Sequence, residues 1–217
     1  MAVSASNQLA FVSASTVAKN PGVAYNPLFI YGPVGVGKTH LMQAIANEVY
    51  NNNPEKKILY TTSEEFTNEV VEAIRTNNTS NMKKKFRNLS LLIIDDIQFI
   101  AGKERVQEEL FHTFNILVDG GAQIALSSDR PPAEMKQVEK RLISRFSGGL
   151  TVDIASPDFE LRTAILLIKA KKHGVLLTID VAKLIAQKAQ DARGLEGYLL
   201  KIMTSAQSGD GEITEEL

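Results

Sequence analysis

Cysteine is absent from the 217 residues. That removes disulfide scaffolds and thiolate-bound metal sites, and it suits a reducing compartment. Histidine is scarce: the three present, His40, His112 and His173, are scattered and make no metal-ligand cluster. No apolar run approaches the roughly 18 residues of a membrane span. The first residues, Met1-Ala2-Val3-Ser4-Ala5-Ser6-Asn7, carry neither the charged start nor the long apolar stretch of a secretory leader, so a cytoplasmic location is expected. A surplus of charge is lacking too. The formal net charge is −1, whereas a stand-alone binder of duplex DNA is usually basic. Any contact with nucleic acid must therefore be local, or shared among several subunits. Internal repeats and low-complexity tracts are also missing. What is present is 44% hydrophobic and 23% charged, ordinary values for a globular protein. The length suffices for one large domain, or for one large and one small.

Gly32-Pro33-Val34-Gly35-Val36-Gly37-Lys38-Thr39 is a complete phosphate-binding loop of the form G-x-x-x-x-G-K-[ST]. The apolar run Pro27-Leu28-Phe29-Ile30-Tyr31 before it reads as a buried strand. Leu41, Met42, Ile45, Ala46 and Val49 after it read as a helix, which is the context the motif requires. The glycines let successive backbone N–H groups face one anion, and the helix start adds partial positive charge. Lys38 is placed to reach the β- and γ-phosphates, and Thr39 to hold Mg²⁺.

Further strands are expected at Ile58–Thr61, Leu91–Asp95, Ala122–Ser128 and Leu150–Ile154, with helical stretches between them. Continuous apolar strands alternating with helices predict an α/β fold whose parallel sheet is covered on both faces. Ligands of such sheets sit at the carboxyl ends of the strands, where the phosphate loop and Asp95 both fall. After Ala155-Ser156-Pro157-Asp158 strand signals stop. Helices are expected over Phe159–Lys172, Thr178–Gln190 with Thr178 or Asp180 as cap, and Leu195–Gln207, ahead of a polar, acidic tail. The expected division is residues 1–154 as a nucleotide-binding αβα domain and 155–217 as a small helical domain. Between the second and third strands lie two helical stretches, Ser63–Thr76 and about Ser80–Arg87, where a minimal crossover needs one. This insertion near residues 63–88 is a plausible functional graft.

Leu91-Leu92-Ile93-Ile94-Asp95-Asp96 is an apolar strand ending in two acids. Beside a phosphate loop it reads as the Mg²⁺-associated acidic motif, Asp95 holding the cation directly or through water and Asp96 polarising the attacking water. Asp129 follows the fourth strand. It suits a place near the γ-phosphate and, equally, a turn before Arg130-Pro131-Pro132. Arg141 and Arg145 stand four apart on one helical face, which fits phosphate recognition, in cis or from a neighbouring subunit, as well as a solvated surface. The basic run Lys83-Lys84-Lys85-Phe86-Arg87 fits nucleic acid or a plain solvated helix. Gly102-Lys103-Glu104-Arg105 offers two more cations on an expected loop.

Taken together, these strings resemble the AAA+ domain of the DnaA family of bacterial replication initiators. The likeness is carried by the phosphate loop, Ile94-Asp95-Asp96-Ile97-Gln98-Phe99 with Gly102-Lys103-Glu104-Arg105, Phe111-His112-Thr113-Phe114-Asn115, Ser128-Asp129-Arg130-Pro131-Pro132 and Arg141-Leu142-Ile143-Ser144-Arg145-Phe146. It runs from about Asn7 to about Ala206. The resemblance implies an AAA+ P-loop NTPase fold with a five-stranded parallel sheet and a C-terminal helical lid. It implies ATP or ADP with Mg²⁺ as ligand, held by Asn7, Gly32, Pro33, Gly35, Val36, Gly37, Lys38, Thr39, His40 and Arg193, with Thr39 and Asp95 on the metal. Lys38, Asp95, Asp96, Asp129 as first sensor and Arg145 as trans-acting arginine finger would form the catalytic set. Arg141 and Arg145 would lie at the subunit interface of an ATP-dependent helical filament, which the inserted helices would steepen. Val71, Lys103 and Arg105 would grip single-stranded DNA. The replicative helicase and regulators are further partners that the family implies, and slow ATP hydrolysis would be an off-switch.

The lid motif Asp191-Ala192-Arg193-Gly194 departs from the family pattern of an Asn, a Val and an acidic residue around the arginine, and Gly194 loosens the expected helix start. The chain stops before the family's helix-turn-helix domain, so reading of duplex origin boxes is expected to be absent, and it begins too late for the family's N-terminal interaction domain. Looser likeness extends to DnaC-type helicase loaders and Hda-type regulators, which act through a protein partner. The intact Lys38 argues against the regulator, and the arginine-bearing strings against the loader. A metabolic P-loop kinase would need an acceptor-substrate site, for which there is no sign.

Overall fold

The computed structural model describes residues 2–189 and 192–208. Five strands form one parallel sheet in the order β2-β3-β4-β1-β5. They are β1 (Leu28–Tyr31), β2 (Ile58–Thr62), β3 (Leu91–Asp95), β4 (Gln123–Ser128) and β5 (Leu150–Asp153). Every residue of β3 and β4 is buried, as expected of strands covered on both faces. The register sets Thr62 opposite Asp95 and Tyr31 opposite Ser128, so the strands end along one edge. The expected strands are present, each within one residue of its anticipated bounds.

Alternation along the strands feeds two layers. Phe29, Leu92, Ile94, Ile124 and Leu126 point into a core completed by α3 (Ser63–Arg75), α4 (Thr79–Arg87), α5 (Glu104–Asp119) and α6 (Lys140–Phe146). Leu28, Ile30, Leu91, Ile93 and Ala125 alternate with them and are equally buried, on the side where α2 (Lys38–Asn52) packs through Leu41, Met42, Ile45 and Val49. The start of α3 is fixed by a capping box. Thr62 Oγ1 accepts from the Glu65 N–H at 3.1 Å, and the Glu65 carboxylate accepts from the Thr62 N–H at 3.0 Å. The bond from the Thr62 N–H, and next that from the Thr61 hydroxyl at 3.2 Å, hold the Glu65 carboxyl below its usual range. The inserted pair α3 and α4 is pinned by Phe66 and Phe86, both fully buried, their rings edge to face at 5.0 Å.

A helix that the sequence reading did not anticipate, α1 (Gln8–Lys19), precedes the sheet and buries Ala10, Ser13, Ala14, Val17 and Ala18. Its core face is made of small residues, so the apolar stripe that marks an amphipathic helix is faint.

Contacts divide the chain into two compact units. One comprises Leu9–Gly32 and Lys38–Ile154; the other takes in the residues up to Gln8, Pro33–Gly37 and those from Ala155 on. In the second unit α7 (Phe159–Lys172), α8 (Ile179–Lys188) and α9 (Ala192–Ser208) enclose Leu166, Ala170, Ala182, Ala186, Leu195 and Leu199. Asp158 caps α7 through the Leu161 N–H at 2.7 Å, and Thr178 rather than Asp180 caps α8. The backbone is helical through Gly194. α8 ends at Lys188 with Ala189 in extended backbone as its cap, short of the expected Gln190; Gln190 itself and the acidic tail after Ser208 lie outside the described residues.

Phe66→Ala should cost about 3–5 kcal/mol by removing a buried ring and leaving a cavity between α3, α4 and the sheet. Denaturant unfolding checks this; a loss below about 1 kcal/mol would mean that the inserted helices do not share the main core.

Candidate functional site

The phosphate loop leaves β1 and enters α2 at Lys38. Within it Gly35 and Gly37 take φ of 82° and 100°, left-handed backbone that a side chain would strain. Lys38 is 7% exposed, and its Nζ donates to the Gly32 carbonyl at 2.7 Å. Thr39 and His40 are exposed in the first turn of α2. An exposed hydroxyl and a strand-end carboxylate are hard oxygen donors. They suit Mg²⁺, which takes one or two protein oxygens and completes its shell with phosphate and water. Among the described residues no group of three or more His, Cys, Asp or Glu could hold a metal by itself.

Asp95 is 3% exposed. A carboxylate so enclosed needs hydrogen bonds, and strands on both sides supply them. The Tyr60 hydroxyl on β2 donates to Oδ2 at 2.7 Å, and the Ser127 hydroxyl on β4 donates to Oδ1. Burial first, and the bond to Asp95 next, push the Tyr60 phenol above its ordinary pKa. Ser127 Oγ also accepts from the Asp96 N–H at 2.9 Å, so one hydroxyl ties both acids to β4. Asp96 takes a left-handed backbone with φ of 55°, a conformation that costs a non-glycine residue about 1 kcal/mol or more and clusters at functional sites. Ser63 Oγ donates to its carbonyl at 2.6 Å, and Gln98 Nε2 to its Oδ1 at 3.1 Å. The motif had pointed to the acids but not to Tyr60, Ser63 or Ser127. Only Ser127 left a sequence signal, as one of the two serines that end the fourth strand.

Asp129 follows β4 and takes a bidentate hydrogen bond from Arg130, at 2.9 and 2.7 Å. That bond holds its carboxyl below the usual range, and the Lys38 charge acts in the same direction. Arg141 and Arg145 both lie over the Phe111 ring, their guanidinium carbons 4.6 and 5.9 Å from its centroid. Arg141 is also paired with Glu139. Arg145 is exposed and has no carboxylate partner among the described residues. The Phe111 platform was not foreseen, although Phe111 stands in one of the strings that carry the family resemblance.

Val71, Lys103 and Arg105 line one open groove with Thr67, Gly102, Glu104 and Val106. Val71 is 53% exposed on the outer face of α3. Arg105 lies in the first turn of α5 rather than on a loop, with Lys103 at the capping position. Glu104 lies between the two cations in that first turn and offsets part of their charge. The basic run of α4 is spent differently: Lys85 pairs with Glu69, and Lys83 and Arg87 with Glu109. The Asn7 side chain closes its own turn, accepting from the Ser4 N–H at 2.9 Å and donating to the Ala2 carbonyl at 3.0 Å. The Arg193 side chain lies outside the described residues.

A family model for the bacterial DnaA ATPase domain matches residues 1–153. The chromosomal replication initiator protein DnaA of Herpetosiphon aurantiacus is 49% identical over 216 residues, 99% of this chain and 46% of that protein. The chain thus spans about half the length of this curated relative. Domain III of the replication initiation protein DnaA from Thermotoga maritima superposes with a TM-score of 0.95 at 38% identity, over 100% of this chain and 90% of that one. A replication initiator DnaA bound to AMPPCP and single-stranded DNA superposes with a TM-score of 0.88 at 34% identity, over 96% of this chain and 66% of that one.

Because the folded Asp129 carboxyl titrates below its ordinary value, its bond with Arg130 stabilises the fold above the ordinary aspartate range. That contribution fades as pH falls through the depressed value. Asp129→Asn should therefore lower the melting temperature slightly at neutral pH, with the gap closing in acid. Thermal melts across pH check this, and a gap that persists unchanged in acid would contradict it.

Proposed function

We propose, from the premise that this chain belongs to the bacterial DnaA ATPase-domain family, that it is the nucleotide-gated assembly core of a replication initiator. ATP is the ligand of the phosphate loop, and Mg²⁺ is held by Thr39 and Asp95. The metal would neutralise charge on the phosphates. Lys38 adds a point charge from the helix start. Asp96, its carboxylate oriented by Gln98, is the group that positions water. Asp129 senses the terminal phosphate from the end of β4. The relative that holds AMPPCP supports extending the nucleotide to this chain.

The observation that carries the assembly reading is Arg145: an exposed guanidinium held over an aromatic ring and left without a carboxylate among the described residues. A cation kept in place but not neutralised suits an anion supplied from outside. The terminal phosphate on a second copy of this chain is such an anion. Assembly then depends on whether that phosphate is present, and hydrolysis is a slow off-switch. Assembly would also align Val71, Lys103 and Arg105 of successive copies along one strand of DNA. That resolves how a chain of net charge −1 binds a polyanion, since the cations act in concert only when repeated. The relative with bound single-stranded DNA supports this second ligand.

Arg145→Ala should leave ATP affinity within about twofold while abolishing ATP-dependent assembly, because the finger acts on the neighbour's nucleotide. Sedimentation velocity with ATP and with ADP reads the assembly, and an assembling variant would contradict the role. Arg145→Lys should recover little, because an ammonium lacks the planar donor fork.

A further inference from the structure

We propose that Tyr60 is a positioning residue for the metal-facing carboxylate of Asp95 and thereby sets the affinity for Mg²⁺. The inference rests on the reading above that Asp95 helps to hold the cation.

The strand register explains why this residue must be a tyrosine. β2 and β3 are parallel, with Tyr60 opposite Ile93 and Thr62 opposite Asp95. Ile93 and Asp95 share a face, so Tyr60 is the diagonal neighbour of Asp95, about 7 Å away along the strand. A serine or threonine at residue 60 could not span that offset. An aromatic ring with a terminal hydroxyl does, and its oxygen lies 2.7 Å from Asp95 Oδ2.

The bonding around Asp95 leaves room for a cation. A carboxylate offers about four acceptor positions. Ser127 takes one on Oδ1 and Tyr60 one on Oδ2, so each oxygen keeps a free lone pair. Both donors are neutral hydroxyls, which orient the carboxylate without cancelling its charge. This is how outer partners of metal ligands act, and losing one typically weakens metal binding by 10–100-fold.

The test is binding of a fluorescent ATP analogue to this chain as Mg²⁺ is titrated. Tyr60→Phe keeps the ring and removes the hydroxyl. It should raise the Mg²⁺ concentration for half-maximal effect about tenfold while nucleotide affinity without Mg²⁺ stays within about twofold. An unchanged Mg²⁺ midpoint in Tyr60→Phe would overturn the proposal, as would an equal loss of affinity with and without Mg²⁺. A wild-type chain that binds no nucleotide would overturn the functional reading itself, which keeps the two failures apart.

Discussion

The enclosed carboxylate of Asp95 is the constraint around which this edge of the sheet is arranged. At 3% exposure its oxygens are cut off from water and need donors from the protein. Those donors come from the strands on either side: Tyr60 on β2 and Ser127 on β4. A slip of either strand by one residue would turn the required hydroxyl to the opposite face. The same Ser127 oxygen receives the Asp96 N–H, and Ser63 at the start of α3 closes on the Asp96 carbonyl. The Asp95 side chain therefore bridges three neighbouring strands, while the backbone of Asp96 ties the following turn to β4 and to the first inserted helix.

Charge is distributed by use rather than by sum. On α4 three of the four cations of the basic run pair with Glu69 and Glu109, and so tie the inserted helices to α5 and to each other. Lys103 and Arg105 make no such pairs among the described residues. They stand instead at the start of α5, beside the exposed Val71. Arg145 likewise rests on an aromatic face rather than an acid. A near-zero net charge thus coexists with a few cations that have no acid partner among the described residues.

Much of this was legible in the sequence because the relevant signals are local. Apolar runs placed all five strands, and the loop motif placed the start of α2. The family strings pointed to Arg141, Arg145, Val71, Lys103 and Arg105, and the structure gathers the first two on Phe111 and the other three on one groove. The unforeseen features depend on tertiary neighbours. The small-residue face of α1 gives no strong period, and Tyr60 reads as a plain strand aromatic until β3 lies beside it. Arg105 reads as a loop cation because Gly102 and Lys103 obscure the start of α5.

In the proposed function the terminal phosphate governs assembly, and assembly governs the grip on single-stranded DNA. The direct measurement is fluorescence anisotropy of a labelled single-stranded oligonucleotide with this chain at fixed moderate salt, first with ATP and then with ADP. Binding with ATP and none with ADP is the predicted result. Equal binding with both nucleotides, or no binding with either, would contradict it.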